Sequence, residues 1–303
     1  MTQHMICLSD WSTDEINHIL QLAATVKQYP GRYSGALSGK TLAMLFEKPS
    51  TRTRISFTQA MVQTGGFPLY LSASDLQLGR GETIADTAKV LSRYVQAIMA
   101  RTFAHSTVEE LARFATIPVI NGLTDQYHPC QALADAQTIQ ERFGTLKGLT
   151  LAYVGDGNNV AHSLMMVGAK TGMNVVVISP DNFQPDPHVV RIAKEAAQET
   201  GAVISVTSDL QAVRGANVVY TDTWVSMGQD TEREARLKVF TPYQVNRDVM
   251  AMADPKAIFL HCLPCHRGEE VSAEVIDGPQ SAIFDEAENR LHAQKAVLVH
   301  LLS

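Results

Sequence analysis

Short apolar runs recur along this chain at helix-length intervals, and that alternation restricts it more than any other feature. Thr41–Phe46 (TLAMLF), Val95–Ala100, Pro118–Ile120, Leu149–Val154, Asn174–Ser179, Val203–Thr207, Asn217–Thr221 and Ala257–Leu260 read as buried strands. Between them lie helical stretches at Arg54–Gln63, Thr107–Ala115, Pro129–Arg142, 162–171 and 187–200. Strands parted by helices imply a parallel sheet with helices on both faces, so both halves are expected to be α/β sheets. Ser12 and Glu15 have the spacing of a capping box, opening a helix that runs to about Lys27. A chain of 303 residues exceeds what one core usually serves, so two domains are expected. The boundary is placed near the helix that starts at Pro129.

The net charge of -6 disfavours nucleic-acid or anionic-membrane binding. No apolar run is long enough to span a bilayer, and the N-terminus lacks the basic and apolar regions of an export signal. Four cysteines are too few for a disulfide scaffold of this length. A reduced, cytoplasmic protein is expected.

Four stretches carry chemistry. Phe46–Arg54 (FEKPSTRTR) follows a strand and opens a helix. A helix start offers free N–H groups and partial positive charge. The hydroxyls of Ser50, Thr51 and Thr53 and the fork of Arg52 would complete an anion site without a glycine-rich loop. Taken singly, Ser50 is more often a plain helix cap, but the density of hydroxyls and arginines favours the anion site. His128-Pro129-Cys130-Gln131 sits at a loop-to-helix junction, where a ring N–H and an amide suit a small carbonyl ligand. Arg101 follows a strand at the end where open α/β sheets bind ligands.

In the second half, Gly155-Asp156-Gly157 lacks the third glycine of a dinucleotide fingerprint, and Asp156 would repel a pyrophosphate. The stretch reads as a βα loop in which Asn158 or Asn159 offers an amide. Asp222 with Ser226-Met227-Gly228 pairs a fixed carboxylate with donors, which suits an ammonium and a carboxylate on one amino acid. His261-Cys262-Leu263-Pro264-Cys265-His266 invites a metal reading, yet no second ligand pair stands at zinc-site spacing. A single cysteine touching substrate at a strand end is the better reading, with no metal and no cofactor.

FEKPSTRTR, Arg101, HPCQ, D-x-x-x-S-M-G and HCLP occur in the order found in ornithine carbamoyltransferases, and the chain resembles that family from Thr41 through Arg290. The aspartate enzymes carry proline at the position of Cys262. The resemblance implies two doubly wound parallel-sheet domains joined by interdomain helices. The first, 1–134, would bind carbamoyl phosphate and take back the last helix, 287–303; the second, 135–286, would bind ornithine.

By the same resemblance, Ser50, Thr51, Arg52 and Thr53 hold phosphate, and Gln77 is lent by a neighbouring subunit of a homotrimer. Arg101, His128, Gln131, Arg290, Cys262 and the backbone of Leu263 meet the carbamoyl group. Asn159, Asp222, Ser226 and Met227 meet ornithine. Cys262, Arg101, His128 and Asp222 are the expected catalytic set. Carbamoyl transfer to aspartate, putrescine or an N-acylated ornithine is the nearest alternative. A ligand-binding protein without activity and a dinucleotide-dependent dehydrogenase are more distant ones.

Overall fold

The computed structural model describes residues 2–72, 81–225 and 230–303. The chain divides into two compact units, Met1–Gln137 with Glu288–Ser303, and Thr138–Ala287. Helices α5 (Pro129–Phe143) and α11 (Ile283–Leu302) each carry residues of both units.

The first unit holds α1 (Thr13–Gln28), β1 (Thr41–Phe46), α2 (Thr51–Gln63), β2 (Phe67–Ser72), α3 (Ile84–Tyr94), β3 (Ala97–Arg101), α4 (His105–Phe114) and β4 (Val119–Leu123). Its four strands are all parallel, in the order β2-β1-β3-β4. β1 and β3 are buried over almost their whole length, which is why they read as unbroken apolar runs. Ala43, Leu45, Ile98, Ala100 and Val119 pack there with Val108 and Leu111 of α4. The expected capping box is present: Ser12 accepts the Glu15 amide, and the Glu15 carboxylate accepts the Ser12 amide at 2.7 Å. Met5 bridges to Ile120 and covers the outer edge of β4. β2 forms the opposite edge. The sequence reading missed it, because Pro68 interrupts the run and none of its side chains is buried. An edge strand tolerates a proline, since the missing N–H faces no neighbour.

The second unit holds β5 (Thr150–Val154), α6 (Asn159–Thr171), β6 (Asn174–Ile178), α7 (Pro187–Thr200), β7 (Ile204–Thr207), β8 (Val218–Tyr220), α8 (Arg233–Phe240), α9 (Arg247–Met252), β9 (Ile258–Leu260) and α10 (Ala273–Ile276). Its five strands are parallel, in the order β7-β6-β5-β8-β9. Each sheet reverses its winding direction once. In the first unit that happens between β1 and β3, where Phe46 lies opposite Arg101. In the second it happens between β5 and β8, where Tyr153 lies opposite Tyr220. Ligands of open α/β sheets collect at the carboxyl ends of such strand pairs. FEKPSTRTR and Arg101 therefore share one switch point, and Gly155–Asn159 and Asp222 share the other.

Candidate active site

In the first unit, Ser50 does cap α2, accepting the Thr53 N–H at 3.2 Å. A cap satisfies only part of the first turn's donors, so capping and anion binding are compatible. Thr51 is exposed, Arg52 is half-buried and Thr53 is buried. Arg54 turns elsewhere, its guanidinium 3.9 Å from the centre of the Tyr70 ring.

Beside this turn lies a buried polar chain. Arg290 donates from Nη2 to Thr53 Oγ1 at 3.1 Å and from Nη1 to Gln131 Oε1 at 2.6 Å, and Gln131 Nε2 donates to Asp135 Oδ1 at 2.8 Å. Arg101 is the last residue of β3 rather than the one after it, and is nearly buried. His128 immediately precedes α5. Burial, and then the charges of Arg290, Arg101 and Arg52, hold its imidazole well below the usual histidine range. A neutral ring among three guanidiniums can donate one N–H to a carbonyl oxygen without adding a fourth positive charge. The Cys130 thiol is buried, donates to the Asn121 carbonyl at 3.6 Å, and is pushed up to about 11 by burial.

The sequence reading passed over two residues here. Lys48 places its ammonium 4.3 Å from the Phe103 ring centre, and burial followed by Arg101 lowers its pKa. Asp135 lies one helical turn after Gln131, and that i, i+4 spacing was the available signal.

The titration of His128 carries a stability prediction. An unfolded histidine takes up its proton near pH 6.5, whereas folded His128 does so only well below that. The folded state binds fewer protons in that interval, so stability is full above about pH 6.5 and is lost as pH falls below it. His4, His105, His292 and His300 are shifted the same way, chiefly by burial. Asp156, raised by burial to about 6, opposes them. His128→Asn should make the acid loss shallower by up to ~1.4 kcal/mol per pH unit. Unfolding midpoints from pH 7.5 to 5.5 check this; parallel curves for variant and parent would contradict it.

In the second unit, Asp222 is the hub. Its Oδ1 accepts the Cys262 thiol at 3.0 Å and the Thr223 N–H at 2.8 Å, and its Oδ2 accepts the Asn158 amide at 2.8 Å. Asn158 is thereby committed, because its oxygen also caps α6 by accepting the Val160 and Ala161 N–H groups. Of the asparagine pair, Asn159 is the first residue of α6 and is half-buried.

Asp156 is paired with Arg236, whose Nε donates to the Trp224 carbonyl at 2.6 Å. The G-x-G pattern has a packing cause: a Cβ on Gly157 would lie 2.2 Å from the Pro185 nitrogen. The glycine admits a neighbouring loop, which accounts for it without a pyrophosphate.

After β9, the His261 ring accepts the Leu263 N–H on Nδ1 at 2.9 Å and faces Glu270 with Nε2 at 3.3 Å. Ligand atoms of Asp222, His261 and Cys262 lie within 4.8 Å of one another. Both His261 nitrogens are already engaged, which leaves that trio without a free imidazole lone pair. Cys265 instead meets Arg267 at 3.5 Å. Gln77, Ser226 and Met227 lie outside the described residues.

The first unit thus brings together Ser50–Thr53, Arg101, His128, Gln131 and Arg290, and the second brings together Asp222, Cys262 and the asparagine loop. Known proteins share this sequence and fold. The carbamoyl-P binding domain model of aspartate/ornithine carbamoyltransferases matches residues 3–141, and the Asp/Orn binding domain model matches 147–301. An ornithine carbamoyltransferase from Symbiobacterium thermophilum is 60% identical over 301 residues, covering 98% of this chain and 97% of its own. One from Thermococcus kodakarensis is 57% identical over 297 residues, covering 97% and 94%. The solved ornithine carbamoyltransferase of Pyrococcus furiosus superposes with a TM-score of 0.95 at 56% identity, covering 98% of this chain and 96% of that one. That of Giardia lamblia gives 0.92 at 39% identity, covering 100% and 98%. Two parallel-sheet units, two family models that together span nearly all 303 residues, and such relatives agree: the chain belongs to the aspartate/ornithine carbamoyltransferase family.

Proposed function

We propose that this protein moves the carbamoyl group of carbamoyl phosphate to the δ-amine of L-ornithine, giving L-citrulline and phosphate, a reaction of arginine metabolism. The observation that carries the choice of acceptor is the Cys262–Asp222 hydrogen bond of 3.0 Å. A carboxylate held beside a thiol suits a cationic amino acid and disfavours a dicarboxylic one.

In this reading, Ser50, Thr51, Arg52, Thr53 and the start of α2 take the phosphate, with Gln77 reaching in from another subunit. Thr53, Arg101 and neutral His128 donate to the carbonyl oxygen as negative charge builds there. Each such donor is commonly worth ~2.7–4 kcal/mol in the transition state. Gln131, Arg290 and the Leu263 backbone orient the carbamoyl group. Asn159, Asp222, Ser226 and Met227 hold ornithine, while Asp222 and Cys262 orient the δ-amine, which attacks once it has lost its proton. The amine nitrogen bonds to the carbonyl carbon, the bridging C–O bond breaks toward phosphate, and the amine's surplus proton leaves. Direct transfer needs no acyl-cysteine, cofactor or metal.

The test is product formation from carbamoyl phosphate with ornithine, aspartate, putrescine and N-acetylornithine. Ornithine alone should give rapid product at rates that climb with pH as the amine loses its proton. Comparable kcat/KM with another acceptor, or no product at all, would refute the assignment.

The same reading makes the protein a homotrimer. Phe67, Leu69 and Tyr70 on β2 and Ile55 and Val62 on α2 are exposed, Phe67 by 63%. Apolar groups of this size along an open sheet edge support burial against another copy. Phe67→Glu should lower the molar mass in light scattering by at least one subunit; an unchanged trimer would remove this support. Four free cysteines support a reducing cytoplasm. No helix among the described residues is long and apolar enough to cross a membrane.

A further inference from the structure

We infer that Asp135 is a positioning residue that fixes which way the Gln131 carboxamide points, and so which of its atoms a carbamoyl group meets. This rests on the carbamoyl phosphate reading of the first unit and adds a residue to it. Gln131 stands between two groups of opposite hydrogen-bonding character. Asp135 is fully buried, and its Oδ1 lies 2.8 Å from Gln131 Nε2; an ionised carboxylate only accepts. Arg290 is 2% exposed, and its Nη1 lies 2.6 Å from Gln131 Oε1; a guanidinium only donates.

The amide therefore has one permitted orientation, with nitrogen toward Asp135 and oxygen toward Arg290. An amide oxygen has two lone pairs, and Arg290 takes one. Held that way, Gln131 would present its oxygen to a carbamoyl NH2 group while the carbonyl oxygen turns to the donors Thr53, Arg101 and His128. A reversed amide would offer N–H to N–H. Asp135 also sets a carboxyl group at the far end of the Gln131 amide from Arg290, so that the two bonds polarise one another through the amide between them.

The geometry predicts a charge-relocation rescue. Gln131→Glu sets a second carboxylate against Asp135 and should bind poorly. Adding Asp135→Asn lets an amide donate to one oxygen of the new carboxylate while Arg290 donates to the other, with net charge as in the parent.

The experiment measures binding by calorimetry, independently of turnover. The probes are phosphonoacetamide, a stable carbamoyl phosphate analogue with CH2 for the bridging oxygen, and inorganic phosphate, which has no amide. Asp135→Leu and Gln131→Glu should each weaken phosphonoacetamide by about 10-fold or more, the scale of one lost hydrogen bond to a charged group. Phosphate affinity should stay within about 2-fold. The Gln131→Glu/Asp135→Asn double variant should recover most of the loss seen in Gln131→Glu.

Equal weakening of both probes in Asp135→Leu would show a merely structural role and overturn the inference. Failure of Asp135→Asn to rescue Gln131→Glu would overturn it too, and that pair decides should Asp135→Leu not fold. Failure of the parent protein to bind phosphonoacetamide would instead refute the carbamoyl phosphate reading itself.

Discussion

Replacing Arg290 by methionine is expected to lower turnover about 10²–10³-fold, the usual consequence of removing one preorganised donor from a buried site. Methionine keeps much of the volume and removes the charge. Two bonds go with it, those to Gln131 Oε1 at 2.6 Å and Thr53 Oγ1 at 3.1 Å, so two groups proposed to face the carbamoyl carbon lose their restraint together. His128 reports the same change independently. After burial, Arg290 is the largest influence holding that imidazole down, so its pKa should rise in the variant. Steady-state kinetics with histidine NMR titration measures both. Turnover within about 3-fold of the parent would remove Arg290 from the reaction.

Asp222→Ala should raise the KM for ornithine by about 10²-fold and leave that for carbamoyl phosphate within about 2-fold. The residue is nearly buried, and both its oxygens are engaged, by the Cys262 thiol, the Thr223 amide and the Asn158 carboxamide. Its loss removes the proposed counter-charge for the incoming amine, strands a thiol and an amide, and loosens the loop that follows β8. Losing one member of a close desolvated charge pair costs about 2–5 kcal/mol, so the effect on ornithine should be the larger. Every one of these partners belongs to the second unit, whereas the residues proposed to hold phosphate belong to the first. Equal rises in both KM values would mean that Asp222 does not serve the acceptor alone.

The fold was legible where burial is one-sided or complete. Thr41–Phe46 and Leu149–Val154 contain strands because a fully covered parallel strand must be apolar throughout. β2 was not legible, because an edge strand bearing Pro68 and exposed aromatics has the composition of a surface loop. α3 escaped as well: its cap, Thr83, follows a stretch without strand or helix pattern, although IADTAKVLSRY is amphipathic.

At the site, motif density around Ser50 and the His128–Gln131 junction located residues that the first unit does gather. Sequence could not say that Arg54 turns to Tyr70, since neighbouring arginines on a helix look alike until their partners are known. Nor could it separate Asn158 from Asn159: either can cap, and only the bonds from the Val160 and Ala161 N–H groups to the Asn158 oxygen show which one does. Asp156 was read as a bar to pyrophosphate; its bond to Arg236, eighty positions away, could not be inferred from local spacing.

The most direct measurement is a calorimetric titration of the protein with carbamoyl phosphate in the absence of ornithine, run beside Arg52→Ala. A half-buried guanidinium at the first turn of α2 should contribute a charge-assisted bond to phosphate, so the parent should bind one equivalent per chain and the variant at least about 10-fold more weakly. No heat from the parent, or equal affinity for both proteins, would contradict a carbamoyl phosphate site at the junction of β1 and α2.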